Sequence, residues 1–239
     1  MYKSIFLIVL AWPAMATNII VNGGFESNGG SGTSTFTGWT VTSEAGSGGS
    51  WYVQSGTASP LNGFPVPTPP EGSYAAMTDS MNPSSQVLIQ DFTVPANATS
   101  VTLSFDYVLN NLGPDYVPED DLNFTDPNSN QQARVDLLPS TAGAFDTNDV
   151  LLNVFQTQSG DTLQPGVYQP FSEDITSAVS GGGTFELRFA EVDDLGYLNF
   201  GVDNVDIDVE TNSVPEPSTA ALSAVGLLAL GICLRRKIA

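Results

Sequence analysis

Between Thr17 and Ser213 the apolar residues recur at every second position in short runs, and no stretch keeps the three-to-four spacing of an amphipathic helix. This directs the chain to sheets. In one run Val101, Leu103, Phe105 and Tyr107 share a side and Thr102, Ser104 and Asp106 share the other; in a second, Phe185, Leu187 and Phe189 oppose Glu186 and Arg188. Successive strand side chains point to opposite faces, so each run has one core face and one wet face. Clusters of Gly, Pro, Asn and Ser separate the runs. The pattern predicts strands at Asn18–Val21, Gly38–Thr42, Trp51–Gln54, Ser73–Met77, Gln86–Phe92, Ser100–Leu109, Gln132–Leu138, Val150–Phe155, Thr184–Ala190 and Leu198–Val209, with one helical turn within Ser172–Ser180. The fold class is all-β, an antiparallel β-sandwich over residues 17–210, long enough to bury a core without disulfide staples.

The last run breaks phase. Phe200 and Val202 are apolar at even positions, whereas Val205, Ile207 and Val209 are apolar at odd ones. One extra residue near Asp203-Asn204 restores a common inward face, which predicts a β-bulge there.

Composition excludes several kinds of chemistry. The chain has no His, and its single Cys is Cys233, so Ser/His/Asp triads, His metal sites, thiol nucleophiles and zinc thiolates are unavailable to the domain. Of the 26 acidic residues all but Glu216 lie in the domain, and of the six basic ones only Arg134 and Arg188 do, which gives it a net charge of about −23. Such a surface repels phosphate, so no nucleic-acid partner is expected. Paired carboxylates remain as the one common catalytic toolkit. A glycosidase would need two of them facing across a cleft at about 5–9.5 Å.

Both ends of the chain read as addresses. Lys3, the apolar stretch Ile5–Trp12 and the small-residue pair Ala14 and Ala16 have the order of a secretory signal peptide, residues 1–16, which implies the secretory translocon as a partner. At the other end a linker, 211–214, leads to Pro215-Glu216-Pro217, then to an apolar run from Ser218 to Leu234, then to Arg235, Arg236 and Lys237. Seventeen residues of helix span about 25 Å, enough to cross a bilayer with little to spare. The basic end would stay on the cytoplasmic side. Residues 215–239 resemble the PEP-CTERM sorting signal of bacterial exported proteins. The resemblance implies recognition of Pro215, Glu216 and Pro217 by an exosortase, removal of the membrane-anchoring helix 218–234, and delivery to the cell surface or extracellular matrix.

Asn22-Gly23-Gly24-Phe25-Glu26 near the start of the domain, Gly38-Trp39, and Phe200-Gly201-Val202-Asp203-Asn204-Val205 at its end together resemble the galactose-binding-like jelly rolls of carbohydrate-binding modules. That resemblance implies first and last strands lying close together and a structural calcium where they meet, with Glu26 and Asp203 as its carboxylate ligands. On the residues alone, Glu26 can equally cap a turn, and Asp203-Asn204 can satisfy the bulge through local backbone hydrogen bonds. Trp39 is expected in the core. Trp51 and Tyr52, just after a glycine-rich loop, are the expected aromatic platform for a sugar ring. Three functions stay open at this point: a non-catalytic module that binds extracellular polysaccharide, a purely structural acidic surface protein, and a carboxylate-based glycosidase.

Overall fold

The computed structural model describes residues 16–125 and 127–212; the expected cleavage-site residue Ala14, the sorting triplet, the apolar run 218–234 and the basic end 235–237 lie outside the described residues. Among the described residues no helix is long and apolar enough to cross a membrane.

Eleven strands follow one another: β1 (Thr17–Asn18), β2 (Thr40–Ser43), β3 (Gly49–Gln54), β4 (Ala75–Ser80), β5 (Ser84–Val94), β6 (Ala98–Asn111), β7 (Gln132–Pro139), β8 (Leu152–Gln156), β9 (Gln169–Asp174), β10 (Gly183–Asp193) and β11 (Leu198–Thr211). They form two antiparallel sheets. The first runs β3-β4-β11-β6-β9, with β1 on β11; the second runs β2-β5-β10-β7-β8. The alternation in the sequence becomes the layering: Leu103, Phe105, Leu187 and Phe189 are buried between the sheets, where Phe105 and Phe189 meet edge to face at 5.3 Å. Each such ring contributes about 1.5–3 kcal/mol by leaving water.

The bulge falls where the phase break put it. Asp203 pairs with Asp106 and Asp206 with Ser104, so β11 carries one residue more than β6 across that step. Asn204 absorbs it at φ 52°, and Val202, Val205 and Ile207 are all buried. The bulge is stitched to the start of the domain, because the Val205 amide donates to the Gly23 carbonyl at 3.0 Å. The backbones are so close there that a Cβ on Gly23 would lie 1.8 Å from the Val205 oxygen. First and last segments are therefore neighbours.

One strand escaped the sequence pattern. β9 holds Pro170, a residue that removes a ladder donor and argues against a strand, but β9 is the outermost strand of its sheet, where that loss is tolerated. The expected helical turn is confined to Ile175–Val179, after β9 ends.

The outward face of the second sheet is partly roofed. Leu122, Phe124, Ala144 and Phe145, from the loops before β7 and β8, pack on Val87, Ile89, Ala190 and Val192. Arg188, fully buried, ties down the second of these loops by donating to the Ala144 and Asp146 carbonyls at 3.0 and 2.7 Å.

Candidate functional site

The structure removes Trp51 from the expected platform. Trp51 is 0 % exposed, its ring 5.5 Å from that of Phe200 in the core, and Tyr52, on the opposite face of β3, is half-buried. The glycine-rich run before Trp51 reads as open loop, but β3 already begins at Gly49 and the strand alternation turns the indole inward. Trp39 is buried as expected, against Phe25 and Phe189.

Aromatic rings meet solvent instead at the edge between the sheets. A cleft of about 480 Å³ opens where β8 and β9 bound the sandwich, lined by Tyr107, Leu109, Phe155, Asp161, Thr162 and Gln169. Tyr107 and Phe155, both half-buried, stand 4.9 Å apart at 53° and make an apolar wall. Burial, then the charge of Asp161, pushes the Tyr107 hydroxyl up from its ordinary value, so it stays a neutral donor.

The opposite wall is the loop between β8 and β9, which Asp115, in the loop between β6 and β7, holds in place. Asp115 accepts from the Gly160 amide at 3.0 Å and the Ser159 hydroxyl at 2.7 Å, and these bonds, with one from the Tyr116 amide, hold its carboxyl below the usual range. The Asn111 amide donates to the Leu163 carbonyl at 2.8 Å. Asp161 itself accepts from the Gln158 amide at 2.7 Å. The cleft thus joins a preformed ring wall to a rim of carboxylate, hydroxyl and amide groups, a combination suited to ligands with an apolar face and many hydroxyls.

Sequence reasoning placed Tyr107 in the core because it continues the Val101–Phe105 alternation. Its hydroxyl is the one local sign that this last position reaches water.

Glu26 and Asp203 converge on the same short segment. Glu26 Oε1 accepts from the Ser73 and Tyr74 amides, both at 2.8 Å, while Asp203 accepts from the Glu71 amide at 3.4 Å and the Asn204 amide at 2.8 Å. Burial, reinforced by Glu71 and Asp106 and opposed by the two amides, raises Asp203 to about 7. Turn capping and bulge support therefore already occupy oxygens of both carboxylates. Among the described residues no three His, Cys, Asp or Glu side chains are grouped to hold a metal ion. A calcium ion here would draw most of its six to eight oxygens from backbone carbonyls.

A second concavity, about 310 Å³, lies at one end of the sandwich beside Tyr197, with Asp193 and Ser80 in its lining. Ser80 and Ser84 hydroxyls both donate to Asp193. Burial outweighs these bonds and raises its carboxyl to about 7. Glu191, fully buried behind it, is raised well above its ordinary value, by burial first and by Asp193 next.

The tail decides the chain's address. Residues 213–237 match the PEP-CTERM protein-sorting motif. The protein is thus exported, held at a membrane and processed there. No curated protein matches the sequence. Among solved structures the fold is similar to the carbohydrate-binding module TmCBM61 in complex with beta-1,4-galactotriose (14 % identity, 80 % of this chain and 97 % of that one, TM-score 0.45). It is similar also to the Stig cyclase Fisc from Fischerella sp. TAU (17 %, 82 % and 99 %, 0.49) and to the K3 adhesin domain of Lys-gingipain from Porphyromonas gingivalis W83 (15 %, 81 % and 99 %, 0.49).

Proposed function

We propose that this protein is an exported, non-catalytic carbohydrate-binding module that works at the cell surface or in the extracellular polysaccharide, and that its sugar site is the edge cleft. The observation that carries the reading is the half-buried pair Tyr107 and Phe155 facing a rim of Asp161, Thr162 and Gln169. A pyranose ring offers C–H groups on one face and hydroxyls around its edge, and the cleft supplies an aromatic surface for the first and polar groups for the second. The sorting tail supports the same setting, since it marks a protein that is exported, held at a membrane and processed there. Calcium, on this reading, is a structural ion joining the chain ends through Glu26 and Asp203 and takes no part in holding sugar.

A glycan array followed by calorimetry on the best hit tests the proposal. Tyr107→Ala should weaken binding about tenfold, near 1.4 kcal/mol, with the fold retained. An array with no response, or a variant that binds as well as the parent, would leave the domain as a structural acidic surface protein.

A further inference from the structure

The second sheet carries on its outward face a groove that the sugar reading does not use. Glu186 on β10 stands directly across the ladder from Asp91 on β5. Together with Thr40, Thr42, Ile89 and Ala144 they line a space of about 430 Å³. Directly opposed side chains have Cβ atoms about 4.5–5.5 Å apart, so two carboxyl groups share one wall of this groove. Like charges so placed repel.

Arg188 relieves Glu186 only in part. Arg188, next on the same face of β10, is committed to Asp136 at 2.7 Å and to the Ala144 and Asp146 carbonyls. Arg134 is committed to Asp136 as well, at 2.8 Å. Glu186 is only 6 % exposed, and its Oε1 has no hydrogen-bond partner. A buried carboxyl oxygen without a donor is an unmet demand for a hydrogen. Burial holds Glu186 up to about 7, Arg188 working against this and Asp91 with it.

We propose that this groove binds a primary ammonium group carried on a hydroxylated scaffold, an amino sugar, with Glu186 and Asp91 as paired acceptors and Thr40 and Thr42 beside the scaffold. An ammonium has three donors and no acceptor, so two carboxylates and a hydroxyl satisfy it completely. A divalent cation is a poorer fit, because it requires six to eight oxygens and no third acidic side chain joins this pair among the described residues. Charge favours the same ligand class. The only basic side chains among the described residues are Arg134 and Arg188, both paired with Asp136, so the approaching cation meets a field that is acidic overall and in which the nearest positive charge, Arg188, already has a carboxylate partner.

The test is calorimetry on the full chain in a non-ionic detergent, with a glucosamine tetramer, its fully N-acetylated counterpart and spermidine as probes. The glucosamine tetramer should bind at least tenfold more tightly than the acetylated one. Glu186→Gln and Asp91→Asn should each lower that affinity at least tenfold; Asp91 is exposed, so its replacement leaves the fold intact. Asp208→Asn, which removes the same charge from an exposed position on the other sheet, should change affinity less than twofold. Equal binding of the two tetramers, or equal losses for all three variants, would overturn the proposal by showing that no ammonium is read at this groove. Spermidine binding as tightly as the glucosamine tetramer would overturn the hydroxylated scaffold.

Discussion

Two groups of buried carboxylates in this domain are handled in opposite ways. On the outward face of the second sheet Asp136, 0 % exposed, accepts from both Arg134 and Arg188 and from the Asn153 amide. Around the end of the sandwich and the bulge, Glu191, Asp193 and Asp203 are just as buried, yet their hydrogen-bond partners are hydroxyls and amides with no cation among them. With only two cations between Thr17 and Asn212, one carboxylate has taken both. The others can be made neutral by a proton or met by an incoming cation. The contrast separates a charge used as scaffold from charges left responsive to the solution.

The sharpest way to break the contrast is to remove the scaffold. Arg188→Ala leaves Asp136 with one cation and strips the Ala144 and Asp146 carbonyls of their donor, so chemical denaturation should show a loss of about 3–5 kcal/mol. A loss below about 1 kcal/mol would mean that the paired region is no more dependent on its cations than a surface ion pair.

Acid should act on the unpaired group in the reverse sense to ordinary acid denaturation. Asp193 and Asp203 titrate near 7 when folded against an ordinary 3.8, so the folded state holds protons that the unfolded chain releases between about pH 4 and 7. Their contribution is complete below that window and is lost as pH rises through about 7. Melting temperature should therefore be higher at pH 5 than at pH 8, by on the order of 5 °C, and Asp193→Asn should flatten the profile. A melting temperature that rises from pH 5 to pH 8 would sink the distinction.

Calcium sharpens the same point at Asp203. With free ion at about ten times its dissociation constant the gain is about 1.4 kcal/mol, or roughly 3 °C, reversed by chelator and absent in Asp203→Asn. Identical melting with ion and with chelator would leave bulge support as the whole role of Asp203.

Much of the fold was legible because its information is local. Alternation marks a strand and its inward face wherever a run is long, as at Val101–Tyr107, and a phase break marks a bulge, as at Asp203-Asn204. What stayed illegible depends on partners distant in sequence. β9 does not show in the pattern, because Pro170 removes a ladder donor and nothing local says that the strand lies at an edge. Trp51 looked exposed beside glycines, and its burial follows from Phe200, which only pairing through β4 and β11 brings to it. The cleft needs Tyr107, Phe155 and Asp161 from three segments, and the groove needs Asp91 and Glu186 from two. Glu26 and Asp203 lie in the motifs that open and close the domain, and both accept from amides of the segment 71–74.

The use of both arginines inside the sheet also bears on how long the domain survives outside a cell. Trypsin-like proteases cut only after Lys or Arg, and between Ala16 and Asn212 that leaves the bonds after Arg134 in β7 and Arg188 in β10. Both side chains are buried and ion-paired within interior strands, so neither can enter a protease's specificity pocket until the sheet has come apart. A pair of residues that fastens one carboxylate thereby removes every tryptic site from the folded surface.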